Sequence, residues 1–309
     1  MAGNFPTSPG FVQHSGTAIP VLYSKLWNYK FYLQTVLPQI ANTDWEKEVQ
    51  AFGDQVTIRN IPDITVNEYF KNKNLTYENP EIAVTLLNID QGFDWAFNAD
   101  IIDLHQTDIN FVEKQIEDAS NQVKIKVENK IFSLIFADAD VANQGSAAGA
   151  ISSNYDLGVA GSPLAITPNN ILSVIVRAGS VLDEQNIPDD GERWLLLPSE
   201  ICGMVKLSDL KDASLAGDSV SVARDGRLGM IDRFNIFCTN NLTTTTDGGA
   251  LVYNMMAGHK SALTFAGQIT ESETIIPEST FGRKYRGLFA FGYKVTKGAA
   301  LAWIYGRAA

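Results

Sequence analysis

The feature that most restricts the fold is one run of helical periodicity from Asp108 to about Ala137. Ile109, Val112, Ile116, Ala119, Val123, Val127, Ile131 and Leu134 recur at spacings of three and four, which sets them on one helix face. Asp108 is the expected N-cap, and Glu113 lies where the positive end of the helix dipole favours an acid. At about 1.5 Å per residue, such a helix is a rod of roughly 45 Å. That is far longer than the usual helix of about 11–12 residues. Its Asn and Lys content and its single short run point to a long helix lying across a sheet rather than a coiled coil.

Before the rod, residues 1 to about 22 lack periodicity and are rich in Gly, Pro, Ser and Thr, which reads as an extended arm. Helical patches are expected over Ser24–Leu33 and Asn42–Phe52. In the second, Asn42 or Thr43 caps, and Trp45, Val49 and Phe52 share a face. Gly53 and Asp54 break the pattern. QVTIRNI then alternates, with Val56 and Ile58 on one side and Thr57 and Arg59 on the other, as in a half-buried strand. EIAVTLLNI, Glu81 to Ile89, is the expected second strand. The polar stretch DITVNEYFKNKNLTYENP between them makes a long hairpin. A hairpin is marginally stable alone, so one projecting from a body needs a partner surface.

After the rod, Gly145–Pro163 reads as a loop of small residues. Thr167 is the expected N-cap of a helix with Pro168 at its first position, and Ile171, Val174, Ile175, Ala178, Val181 and Leu182 form its buried face. The stretch NIPDDGERWLLLPSEICGMVKL follows. Ile187-Pro188 ends the helix, Asp189-Asp190-Gly191 turns, and Trp194–Leu197 is a buried strand. Ser199 is the expected N-cap of the next helix. Residues from Leu207 to about Leu228 read as a polar loop. MIDRFNIFC then reads as a strand, Gly248-Gly249 as a turn before ALVYNMMAG, and GLFAFGYKVT as a strand with Phe289, Phe291, Tyr293 and Val295 on its core face.

Chemistry-bearing patterns are sparse. His14, His105 and His259 occur in no HExxH or His-x-His spacing and there is no CxxC, so no metal site is expected. GHKS lacks the glycines of a phosphate-binding loop, Ser199 lies in no GxSxG, and no GxGxxG occurs, so no cofactor is expected. Asp183, Glu184, Asp189, Asp190, Glu192 and Glu200 crowd the helix–turn–strand joint. A turn-forming, solvated role is expected for them, with an acidic hydrolase using carboxylates at 189–200 as the rival. Cys202 and Cys238 read as small buried hydrophobes. The formal charge of -11 and pI of about 4.8 disfavour tight general binding to nucleic acid. The N-terminal sequence is not expected to be a secretory signal, and no apolar run approaches the roughly 20 residues of a membrane span.

The order of these elements resembles the major capsid protein of tailed double-stranded-DNA bacteriophages, the Hong Kong 97-type fold. GDQVTIRNI looks like the opening of the family's extended loop, usually called the E-loop. IEDASNQVKIKVENKIF resembles the spine helix of the peripheral domain. VLDEQNIPDDGERWLLLPSEICGMV and GRLGMIDRFNIFCTNNL are similar to axial-domain segments. FGRKYRGLFAFGYKVTKGAAL is similar to the closing peripheral strand.

The resemblance covers about residues 40 to 309. It implies an α+β fold with an N-terminal arm and short helices (1–52), E-loop (53–91), peripheral domain (92–144 and 266–309) and axial domain (145–265). The implied function is a non-enzymatic shell subunit that self-assembles, in the host cytoplasm, into hexamers and pentamers around packaged double-stranded DNA. Arg59, Glu68, Lys71, Lys73 and Tyr77 are then the expected inter-subunit contacts of the E-loop. A separate scaffold protein, a portal and decoration proteins are the implied partners, with DNA contacted non-specifically and no membrane. An encapsulin-like compartment shell is the alternative within the same fold.

Overall fold

The computed structural model describes residues 35–45, 55–62, 64–100, 111–208, 229–278 and 281–309. In chain order the elements are α1 (Leu37–Ile40), β1 (Gln55–Arg59), β2 (Val84–Asn88), β3 (Gln91–Asp100), α2 (Phe111–Phe132), β4 (Leu164–Ile166) and α3 (Ile171–Glu184). Then come β5 (Arg193–Leu197), α4 (Ser199–Leu207), β6 (Met230–Ile231), β7 (Phe234–Cys238), β8 (Thr244–Asp247), β9 (Ala250–His259), β10 (Leu263–Ile275), β11 (Gly282–Val295) and β12 (Leu301–Ala308).

Among the described residues these strands form three sheets. β1 and β2 form an antiparallel ribbon, β10-β11-β3 an antiparallel sheet, and β4-β12-β9-β5-β7-β6 a mixed sheet of seven strands in which β8 also pairs with β9. β5 is buried at every residue because it is central, parallel to β7 and antiparallel to β9. This explains its unbroken apolar run, RWLLL, after a charged turn. The chain leaves the seven-stranded sheet after β9, makes β10 and β11 in the other sheet, and returns as β12. The two crossings are tied where the Thr296 amide donates to the Ala262 carbonyl at 2.8 Å. The Asn143 side-chain amide donates to the carbonyls of Ala299 and Leu301 at 2.7 and 3.0 Å. One apolar core spans both sheets, with Ile131, Phe132, Ile175, Trp194, Phe291 and Ile304 in it.

The long helix is present as α2, with 22 residues described, about 33 Å at 1.5 Å per residue. It ends at Phe132 rather than near Ala137, and Leu134, expected on the buried face, is 46 % exposed. The backbone tightens there into a 3-10 turn over Ile135–Asp138, and Ile135 takes the buried position instead. The helix buries Glu128 completely. Its carboxylate accepts the amides of Val36 and Leu37 at 2.7 and 3.0 Å and the side-chain amide of Asn241 at 2.8 Å. The carboxylate thus caps the N-terminus of α1, an element with no signal of its own in the sequence reading.

Several local expectations are corrected. Asn42 does not start a helix. It bridges Thr264, and its side chain accepts the Asp44 amide in a turn; residues 46–52 of that patch and the Ser24–Leu33 patch lie outside the described residues. Thr167 does not cap α3. The Asn170 side chain accepts the Thr167 amide and closes a turn, so the helix begins at Ile171. The expected face of α3 is buried throughout, and the helix ends where Asn186 turns left-handed at φ 56 and the Ile187 amide donates back to Leu182. Ser199 is the first helical residue of α4, with Pro198 as the cap. MIDRFNIFC is two strands joined by a tight turn, with Asp232 and Arg233 at φ 46 and 67. Strand β3 was not anticipated, although Phe93, Trp95 and Phe97 alternate. The polar loop expected to about Leu228 falls mostly outside the described residues. Cys202 and Cys238 are not free thiols but paired with one another as a disulfide. Their register explains this, since Leu197 of β5 lies beside Cys238 of β7 and α4 starts directly after β5.

Candidate inter-subunit contact surface

The β1–β2 ribbon pairs Gln55 with Asn88 through Arg59 with Val84. Its period of two turns Ile58 and Leu87 inward, where they bury with Ala266 and are covered by Trp45, Val56 and Ile89. This small cluster roots the hairpin on β10. Gly292 of β11 lets the root approach: a Cβ there would lie 2.2 Å from the Asn88 carbonyl oxygen. Backbone cannot yield cheaply at such a distance. Gly292→Ala is expected to cost about 1–3 kcal/mol of stability, read by denaturant unfolding, and to speed proteolysis within residues 60–83.

Beyond the root the chain runs out of contacts. The Asn60 amide donates to the Ala83 carbonyl, and residues 64–84 are exposed at every position. Among the described residues the tip is held by local bonds. Asn72 adopts φ 68, the Lys73 amide donates to Phe70, the Lys73 ammonium donates to the Glu68 carbonyl at 2.8 Å, and the Thr65 amide donates to the Glu78 carboxylate at 3.2 Å. Ile61, Val66 and Tyr77 are 95, 93 and 91 % exposed, and Ile64, Tyr69, Phe70, Leu75 and Ile82 are also exposed. A large apolar surface on a projecting segment marks an interaction site.

The five residues singled out from the sequence all lie on this excursion. Arg59 is exposed at its base, and Glu68, Lys71 and Tyr77 are exposed along it. Lys73 is exposed as well, but its ammonium is spent on the turn. The sequence reading attended to charge and missed the apolar members. Tyr69-Phe70, flanked by acidic and basic residues, was the available signal.

A second open surface lies between α2 and the three-stranded sheet. It is a cavity of about 470 Å³ whose lining includes Thr35, Leu37, Trp95, Val123, Val127, Phe265 and Phe289. Gly287 packs against the Trp95 ring of this lining: a Cβ there would fall 2.4 Å from it.

The acidic joint is committed to structure. Asp183 accepts the buried Arg193 guanidinium at 2.8 Å and that of Arg233 at 2.7 Å, and Asp189 lies 3.8 Å from Arg233. Glu184 accepts the amides of Ile151 and Ser152, and Glu200 accepts the Tyr253 hydroxyl at 2.8 Å. Asp190 accepts from the buried His259 ring at 3.0 Å, and Lys260 lies 3.9 Å from Glu192. Asp190, Glu192 and His259 bring their ligand atoms within 4.8 Å of one another and could hold a metal ion. The imidazole nitrogen facing the carboxylates is already bonded to Asp190, and the Lys260 ammonium competes for Glu192.

These contacts set a pH dependence. Burial pushes the Asp183 carboxyl up, but the Arg233 and Arg193 hydrogen bonds outweigh it and hold it below its usual 3.8. The Ser152 and Ile151 amides lower Glu184, and the His259 hydrogen bond lowers Asp190. Depressed carboxyls stabilise the fold above their ordinary range, and that stability is lost as pH falls through the lower folded values. Asp232 has the opposite sign, since burial raises it and favours the fold at low pH. Three against one, the joint is expected to weaken below about pH 4. Asp183→Asn should lower the melting temperature at neutral pH and much less near pH 3.

One rod helix, two sheets sharing a core and a long uncovered loop rooted on them define a Hong Kong 97-type capsid fold. The sequence profile described as phage capsid protein matches residues 83–304, and the chain belongs to that family. Solved structures agree on the fold. A chain of Mycobacterium phage Che8 is 22 % identical over 93 % of this chain and 97 % of its own, with a TM-score of 0.75. The capsid structure of Cyanophage P-SCSP1u is 14 % identical over 99 % of each chain, with a TM-score of 0.74. The capsid of the native GTA particle is 13 % identical over 96 % of this chain and 97 % of its own, with a TM-score of 0.69. No curated protein is similar to it at the level of sequence. The protein is a major capsid protein, a structural component of an icosahedral virion shell that self-assembles into capsid oligomers.

Proposed function

We propose that residues 53–91 are the E-loop of this subunit and that its exposed span, residues 64–84, lies over an adjacent copy within hexamers and pentamers. The observation that carries this is the run of exposed apolar side chains that their own chain leaves uncovered. Covering them with a neighbour removes apolar surface from water at each subunit, and many such contacts add across a closed shell. Tyr77, Lys71 and Glu68 are the polar and aromatic contacts in this reading, Arg59 works at the base, and Lys73 shapes the tip.

We assign the seven-stranded sheet to the axial domain, and α2 with β10-β11-β3 to the peripheral domain. In this assignment the second peripheral segment stops before β12, because residues 301–308 pair with β9 and β4. The subunit performs no catalysis, assembles in the host cytoplasm, and holds packaged double-stranded DNA without gripping it, as its net charge of -11 suits. A scaffold protein, a portal and decoration proteins are its further partners.

Electron microscopy of the purified chain, with and without co-expressed scaffold, tests this. Shells, rings or capsomers are expected. A strictly monodisperse monomer at high concentration under both conditions overturns it.

A further inference from the structure

Cys202 and Cys238 are the only cysteines in the chain. Three features of the fold bring them together. β5 and β7 run parallel with Leu197 beside Cys238, the Thr239 amide donates to Leu197, and α4 turns back immediately after Pro198. Their Cα atoms are 6.3 Å apart, inside the range a disulfide spans without backbone movement. With no third cysteine, no other intramolecular pairing competes.

We propose that this pair is an oxidative staple, reduced when the subunit is made and closed after the shell leaves the cell. The timing rests on the shell reading; the pairing does not. Cytoplasmic thiols are held reduced, whereas a released particle meets dioxygen. The two thiols lose two protons and two electrons, the S–S bond forms, and one dioxygen is reduced to hydrogen peroxide. Cys202 is only 3 % exposed while Cys238 is half-buried, so the oxidant reaches the pair from the Cys238 side. The bond closes a covalent loop over a sequence separation of 36. Such a loop restricts the unfolded chain and stabilises the subunit without requiring any new folded contact.

Cells are lysed into N-ethylmaleimide to quench thiols, and a second sample is taken from particles held in air before quenching. Both are digested without reductant and analysed by mass spectrometry. The quenched intracellular chain is expected to carry two maleimides, and the released particles a linked peptide with none. Reducing released particles with a phosphine should lower the melting temperature by about 5 °C, and the Cys202→Ala, Cys238→Ala double variant should show no response to the phosphine. Two maleimides per chain in air-held particles, a linked peptide already in the quenched cells, or an unchanged melting temperature overturns the proposal. If no particles form, the same mass measurement on the purified chain still reads the pairing separately from assembly.

Discussion

Deleting Asp63–Pro80 is expected to yield a folded subunit that no longer assembles. Every described side chain in that span is exposed, so its removal takes nothing from the core that joins the two sheets. The root survives, because Ile58, Leu87 and Ala266 lie outside the deletion. A short Gly-rich turn replacing the span shortens the closed loop, and doubling or halving loop length changes closure entropy by only about 0.6 kcal/mol. Circular dichroism and the melting temperature should therefore stay close to wild type, while electron microscopy shows no shells. Normal shells from the deletion variant would remove the loop from the assembly contacts. A milder version, Tyr69 and Phe70 both to Ser, should weaken assembly and raise the concentration at which particles appear.

The second large effect is expected inside the subunit, at Glu128. Its carboxylate accepts the Val36 amide, the Leu37 amide and the Asn241 side chain, groups 92, 91 and 113 positions away in sequence. Glu128→Ala leaves these donors without their acceptor. Unmade bonds to a charged group cost about 1.5–3 kcal/mol each, so with partial relaxation a loss of about 4 kcal/mol is expected. Glu128→Gln keeps the volume and one acceptor and should lose about half as much. Urea unfolding of both variants reads this directly. If Glu128→Ala unfolds within about 1 kcal/mol of wild type, the carboxylate is not what holds α1 to α2.

Residues with local causes were legible, and those with distant causes were not. The buried face of α3, the Gly248-Gly249 turn and the shared side of Val56 and Ile58 in β1 follow from periodicity and backbone preference within a few residues. Nothing within VKIKVENKIF signals the burial of Glu128, because its partners lie on segments far along the chain. Leu134 failed for the converse reason. Its spacing is right, but packing ends the helix two residues earlier. The cysteines looked like isolated apolar residues, since only the parallel pairing of β5 with β7 makes them neighbours.

The candidate surface divides the same way. That a long polar hairpin leaves the body between Gln55 and Asn88 was readable from two alternating strands and the absence of a pattern between them. Which of its residues need a partner was not, because exposure is a property of what the rest of the chain fails to cover. By itself the sequence determined α3, the buried strand β5 and the two strands that bound the long hairpin, since those depend on short-range spacing and backbone chemistry, and the order of such segments carried the resemblance to the capsid family. Tertiary structure alone decided that β12 returns to the seven-stranded sheet, that Glu128 is buried and that the loop's apolar residues stand uncovered. Each of those outcomes depends on contacts between residues tens to hundreds of positions apart.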